Sequence, residues 1–228
     1  MALILNIDTS TSVCSVALAR DGKMIALKEN NEGLNHSVLL GTYIDEILKD
    51  NHMDAHCLDA VAISMGPGSY TGLRIGVSMA KGVCFGAGKP LIAVPTLQAL
   101  ALSVSERIRE EALYCPMIDA RRMEVYCQLF DAAAKPLSEV TAHIVTPESF
   151  LEQRTEKGGL LVFGNGAAKS RELFTEPGVH FAEVTPSARG LVKPAFKAFA
   201  AKKFEDTAYF EPFYLKNFVV NCSSKKIF

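Results

Sequence analysis

One order of elements runs twice along this chain: strand, strand, strand, helix, each time with an aspartate closing the first strand. In the first half, ALILNID is a short apolar run ending at Asp8, SVCSVALA alternates small polar and apolar residues, and KMIALKEN follows an Asp21-Gly22 hairpin signal. LNHSVLLGTYIDEILKDN then places Val38, Leu39, Tyr43, Ile44, Ile47 and Leu48 near 3.6-residue spacing, with Asn35 or Ser37 as cap, which predicts an amphipathic helix. LDAVAIS reads as a buried strand, residues 72 to 87 as a helix, KPLIAV as a strand, and TLQALALSVSERI as a helix capped by Thr96. An antiparallel meander flowing into parallel units differs from a pure Rossmann alternation.

The second half restarts the pattern. LYCPMIDARRMEVYCQLFD gives two strands around an Asp-Ala-Arg-Arg turn, with Asp119 in the place Asp8 holds earlier, and KPLSEVTAHIV gives a third. PESFLEQ predicts a helix with Pro147 at its first position, LLVFGNG a strand entering a Gly-Asn-Gly turn, and SARGLVKPAFKAFAAKKF a helix that Pro194 kinks or splits. The expected organisation is two related α/β subdomains, residues 1–106 and 107–228, each with a mixed sheet and flanking helices. The last residues, from 216, read as a tail partly ordered by Phe218 and Val219.

At 228 residues, 49% of them hydrophobic, the chain can bury a substantial core. Its 24 basic and 25 acidic residues leave a formal charge of −1, so no broad field draws it to nucleic acid or anionic lipid. Arg121-Arg122 and Lys202-Lys203 are too small a basic set to predict direct nucleic-acid binding. The six cysteines form no CxxC pair and sit mostly in apolar stretches, as expected of reduced core residues in a cytoplasmic protein. The apolar start lacks a basic n-region, and Arg74 and Lys81 interrupt the longest apolar region, so neither a signal peptide nor a membrane span is predicted.

SMGPGSYTGLRIGVSMAKG, residues 64 to 82, invites a phosphate-loop reading that its spacing refuses. Five residues separate Gly66 from Gly72, and Leu-Arg follows where a Walker A loop needs Lys-Ser/Thr. A dinucleotide fingerprint fails by one residue. What remains is Ser69 or Thr71 as a helix cap, with free N–H groups that could receive an anion. The helix that follows carries Gly72, Gly76 and Ala80 on one face and Ser78, Gly82 and Gly86 on a neighbouring one. Each helical glycine costs about 1 kcal/mol relative to alanine, so close packing of another helix is the expected compensation.

Five stretches in order, NIDTSTSVCSVAL, LNHSVLL, GPGSYTGLRIG, GKPLIAVPTLQALA and MIDARRMEVY, closely resemble the TsaB family, also called YeaZ, and Gly164-Asn165-Gly166 continues the likeness more weakly. The resemblance implies the ASKHA fold of actin, chaperone ATPases and sugar kinases. It implies a bacterial cytoplasmic subunit, not itself an enzyme, that serves formation of N6-threonylcarbamoyladenosine at position 37 of tRNAs reading ANN codons. The implied partners are a TsaD-like catalytic paralogue, which it activates as a heterodimer, and a TsaE-like ATPase. A homodimer forms when the paralogue is missing, tRNA is met only through the complex, and no membrane is involved.

In the TsaD paralogue the segment after the strand matching PLIAV resembles V-N-H-L-E-G-H, whose two histidines bind metal. Here it reads V-P-T-L-Q-A-L, with Thr96 and Leu100 at the histidine positions, so no metal centre, transferase chemistry or metallopeptidase activity is expected. Asp8, Thr9 and Ser10 match the first phosphate hairpin of the fold, Asp119 the second, and Gly164 and Gly166 the adenosine-side turn. ATP or ADP is expected only at a degenerate or shared site. The rival reading is an ATP-dependent phosphotransferase using Asp8 and Asp119.

The expected partner surface joins the helix from His36 to Lys49 with the one from Thr71 to Phe85, through His36, Leu39, Leu40, Tyr43, Gly72, Ile75, Gly76, Met79 and Ala80, in a four-helix arrangement. On that reading Gly76→Leu abolishes association and leaves the monomer folded. His52 and His56 flank Asp54 in a polar connection and read as solvated loop residues. His36 beside Ser37 points to capping or interface contacts, since sequence neighbours on a helix face different ways.

Overall fold

The computed structural model describes residues 1–33, 35–108 and 111–216. The first half forms β1 (Leu3–Asp8), β2 (Cys14–Arg20), β3 (Lys23–Asn30), α1 (His36–Asp50), β4 (Ala60–Gly66), α2 (Tyr70–Ala87), β5 (Leu91–Pro95) and α3 (Thr96–Ser105). The second forms β6 (Leu113–Asp119), β7 (Glu124–Cys127), β8 (Thr141–Ile144), α4 (Leu151–Glu156), β9 (Leu160–Phe163), β10 (Val179–Ala182) and α5 (Ala188–Ala200).

The inferred repeat is a repeat of topology. The first sheet runs β3-β2-β1-β4-β5 and the second β8-β7-β6-β9-β10. In each, three antiparallel strands are followed by two strands parallel to the first. Asp21 and Gly22 both take positive φ, 50° and 74°, the twist a two-residue hairpin needs. Helices α1 and α2 cover one face of the first sheet through Leu40, Ile44, Ile47, Val77 and Cys84 against Leu5, Ile7, Val16 and Ile63. The opposite face carries α5, where Leu191 and Ala195 meet Ile4, Ala62 and Ile92. The final helix therefore crosses back onto the first sheet, while α3 packs on β6 of the second.

Several local expectations are corrected. Thr96 is the first helical residue of α3 and not its cap; Pro95 holds the cap position, and Thr96 Oγ1 accepts from Gly66 N at 3.1 Å, tying the helix to the end of β4. Pro147 does not begin a helix: α4 starts at Leu151 after Phe150 at φ 58°, because Ser149 Oγ is taken by Thr146 N and His143 in a turn. Pro194 does not split α5, which stays one helix with Leu191, Val192 and Ala195 buried around the proline. Strand β10 was not legible, being a four-residue edge strand with no fully buried position. Cys57 is exposed, whereas Cys14, Cys84, Cys115 and Cys127 are buried and unpaired as thiols. Of the expected tail only Lys216 is described, so Phe218 and Val219 lie outside the described residues. No helix among the described residues is long and apolar enough to cross a membrane.

Candidate functional site

Helix α2 follows β4 through a glycine-rich turn, and Ser69 caps it by accepting from Gly72 N at 3.3 Å. Its two stripes of small residues face in different directions. Gly72, Gly76 and Ala80 are buried inside the chain, where a Cβ on Gly72 would collide with the Thr9 carbonyl and one on Gly76 with Thr9 Oγ1. The expectation that these three residues meet a partner helix is corrected: they let the β1–β2 turn lie against α2. His36 and Leu40, also assigned to the interface, are buried, with His36 Nε2 3.2 Å from the Val13 carbonyl and Leu40 in the core. Leu39, Tyr43, Ile75 and Met79 are half-buried along the α1–α2 seam.

The outward stripe is the other one. A Cβ on Gly82 or Gly86 would meet nothing within 4 Å, Ser78 is exposed, Phe85 on the same helix is 89% exposed, and on the neighbouring α1 Val38 is 71% exposed. Large exposed apolar side chains flanking a flat run of small ones form a surface on which another helix can lie closely.

The β1–β2 turn is closed on itself. Thr9 and Ser10 are fully buried; Thr9 Oγ1 donates to the Gly72 carbonyl, and Ser10 gives both its N–H and its hydroxyl to Asp8 Oδ1 at 2.9 and 2.7 Å. Ser64 Oγ adds a third bond to the same oxygen at 3.1 Å. Burial raises the Asp8 carboxyl above its ordinary range, opposed by the bonds from Ser10 and Ser64. The hydroxyls that the sequence offered to a phosphate are thus spent within the chain.

Asp119 lies at the end of β6, and its Oδ1 accepts from Lys169 Nζ at 2.7 Å and from Arg121 N. Lys169 also reaches the Glu124 carbonyl at 2.9 Å, so its ammonium group is held between the Asp119 carboxylate and the start of β7. Gly164 and Gly166 press against the backbone of Met117 and Ile118, Gly166 N donating to the Met117 carbonyl, and Asn165 Oδ1 accepts from Asp119 N. The structure brings Asp119 and the Gly-Asn-Gly turn together, in contacts that brace one another.

Asp8, Thr96 and Leu100 line one cavity of about 230 Å³ between the end of β1, α3 and the start of α5. Ser187 caps α5 by accepting from Arg189 N and donates to Glu29, whose Oε2 also accepts from Ser15 Oγ. Sequence reasoning missed Glu29, Arg107, Ser187 and Arg189 as members of this wall. The only local signal was Ser187 as a cap before an apolar-periodic run.

A family model described as TsaD, tRNA N6-adenosine threonylcarbamoyltransferase, matches residues 31–216. The tRNA threonylcarbamoyladenosine biosynthesis protein TsaB of Escherichia coli is 32% identical over 98% of this chain and 97% of its own length. The chain belongs to the TsaB family. Among solved structures, YeaZ from Pseudomonas aeruginosa matches this TsaB-family chain with a TM-score of 0.80 and 25% identity, over 94% of this chain and all of that one. The activator of 2-hydroxyisocaproyl-CoA dehydratase from Clostridium difficile matches with a TM-score of 0.52 at 11% identity, covering 88% of this chain and 96% of that one, a likeness of ASKHA fold alone. In this TsaB-family chain, the outward face of α2 and the cavity beside Asp8 are features to which the internal packing assigns no role.

Proposed function

We propose that this chain is a non-catalytic subunit that pairs with a TsaD-like transferase and activates it in forming N6-threonylcarbamoyladenosine at position 37 of tRNAs reading ANN codons. The observation that carries the reading is the outward stripe Ser78, Gly82 and Gly86 on α2, with Phe85 exposed on the same helix and Val38 exposed on α1, in a chain of the TsaB family. The partner's equivalent helices lie across α1 and α2 in a four-helix arrangement, and a second copy occupies the surface when the paralogue is missing. A TsaE-like ATPase joins the pair, tRNA is met only through the complex, ATP or ADP is held at a site shared with the partner, and the work is done in the cytoplasm.

Catalysis falls to the partner for a chemical reason. Thr96 and Leu100 supply no imidazole for a metal, and Asp119 already faces an ammonium group. An ATP-dependent phosphotransferase would need Asp8 and Asp119 open to magnesium, so the pairing with Lys169 favours the accessory role. The test is co-purification with the TsaD paralogue and a tRNA modification assay with and without this chain. Modification that proceeds equally well without it overturns the proposal.

A further inference from the structure

The cavity between β1, α3 and α5 has an uncommon floor. Asp8 is 1% exposed, and all the hydrogen bonds that its carboxylate accepts from the described residues fall on Oδ1. Oδ2 accepts no bond from the described residues, yet it is not sealed among the buried unpartnered atoms, so it keeps solvent contact through the cavity its side chain lines. A second carboxylate, Glu29, lies close enough to repel it and is held through Oε2 by Ser15 and Ser187, which leaves Oε1 open.

The rim has the opposite charge. Arg107, just past α3, and Arg189, in the first turn of α5, both line the cavity, are exposed, and make no ion pair among the described residues. Glu183, the remaining acid on the wall, turns to solvent with its side chain 91% exposed, 3.8 Å from Arg171. The wall therefore carries two carboxylates, Asp8 and Glu29, together with two guanidinium groups that form an ion pair with neither.

A ligand that satisfies both carries a cation and an anion within one small frame. No group of three or more His, Cys, Asp or Glu among the described residues is arranged to hold a metal, and the cation that we assign to the two carboxylates is an organic ammonium, which a carboxylate pair receives through charge-assisted hydrogen bonds. Pockets for drug-sized ligands start at about 300 Å³, and this one is smaller, which excludes a nucleotide lying wholly inside and admits a single amino acid. We propose that the cavity binds a free amino acid or an equally small zwitterion, its ammonium taken by Asp8 and Glu29 and its carboxylate by Arg107 and Arg189. The hydroxyls of Thr185 and Ser103 on the same wall serve the side chain. Because Asp8 faces the α5 side of the first sheet, opposite α1 and α2, the site stands independently of the subunit interface.

The test uses the full chain labelled with nitrogen-15 and titrated with each standard L-amino acid at millimolar concentration. At least one should shift the amides of residues 96–100 and 187–190. For that amino acid, the des-amino acid and the decarboxylated amine should each bind at least about tenfold more weakly, as should the Arg189→Gln variant. Ser103→Phe, which fills the cavity from α3, should abolish the shifts while the rest of the spectrum is unchanged. The proposal is overturned if no amino acid shifts these amides, if the des-amino acid binds as tightly, or if Arg189→Gln and Ser103→Phe leave the affinity intact.

Discussion

Thr9 Oγ1 donates a 2.8 Å hydrogen bond to the Gly72 carbonyl, and the same hydroxyl fills the space that a side chain on Gly76 would need. The glycines of α2 are therefore part of how the β1–β2 turn is fastened to the helix. Gly76→Leu is accordingly expected to damage the fold itself, by about 3 kcal/mol, since the added side chain overpacks against the buried side chains of Thr9 and Ile63. Urea denaturation of the variant checks this. Thr9→Ala should recover part of the loss in the double variant, because it removes the atom that collides.

The outward stripe makes the opposite prediction. Gly82→Ala adds a methyl group to open space and should stabilise the monomer by about 1 kcal/mol through helix propensity alone. Phe85→Asp should leave the circular dichroism spectrum and melting temperature nearly unchanged and should weaken association with a second copy or with the TsaD paralogue at least tenfold. Light scattering after size exclusion separates these effects. Retained association in Phe85→Asp would place the interface elsewhere.

Asp8 sets a pH dependence whose sign can be worked out. Burial raises its folded value above the ordinary 3.8, so between the two values the native state binds more protons than the unfolded chain. Its contribution to stability is full below 3.8 and is lost as pH rises through the raised folded value. Asp8→Asn keeps an oxygen for Ser10 and Ser64 and removes the charge. The variant should therefore gain on wild type as pH climbs from acid to neutral, in denaturant titrations at a series of pH values. A difference that does not change with pH would contradict the assigned direction.

Lys169 neutralises Asp119 and also bonds the Glu124 carbonyl, joining the two strands of the β6–β7 hairpin. Asp119 is partly exposed, so solvent screening limits the pair, and Lys169→Met should cost about 1 kcal/mol. If Asp119 were a catalytic magnesium ligand in waiting, the variant would gain magnesium-dependent ATP binding by calorimetry. The accessory reading expects none.

The sequence by itself determined the repeated strand order, the Asp21-Gly22 hairpin and, on α1, the burial of Ile44, Ile47 and Leu48 though not of Val38, because each is written in local periodicity and turn chemistry. The family likeness was legible for the same reason, since its motifs are contiguous. Which stripe of α2 turns inward was not legible. The two stripes lie about 120° apart on a helix of 3.6 residues per turn, and either could have faced the sheet. The choice was made by Thr9, whose turn needs the bare backbone of Gly72 and Gly76 beneath it. Likewise the cavity gathers Asp8, Glu29, Arg107, Ser187 and Arg189 only because α5 returns to the first sheet after the whole second half has been traversed. Local pattern fixes which residues become helix or strand, whereas the meeting of distant side chains is decided by the packing of elements that no short window of sequence contains.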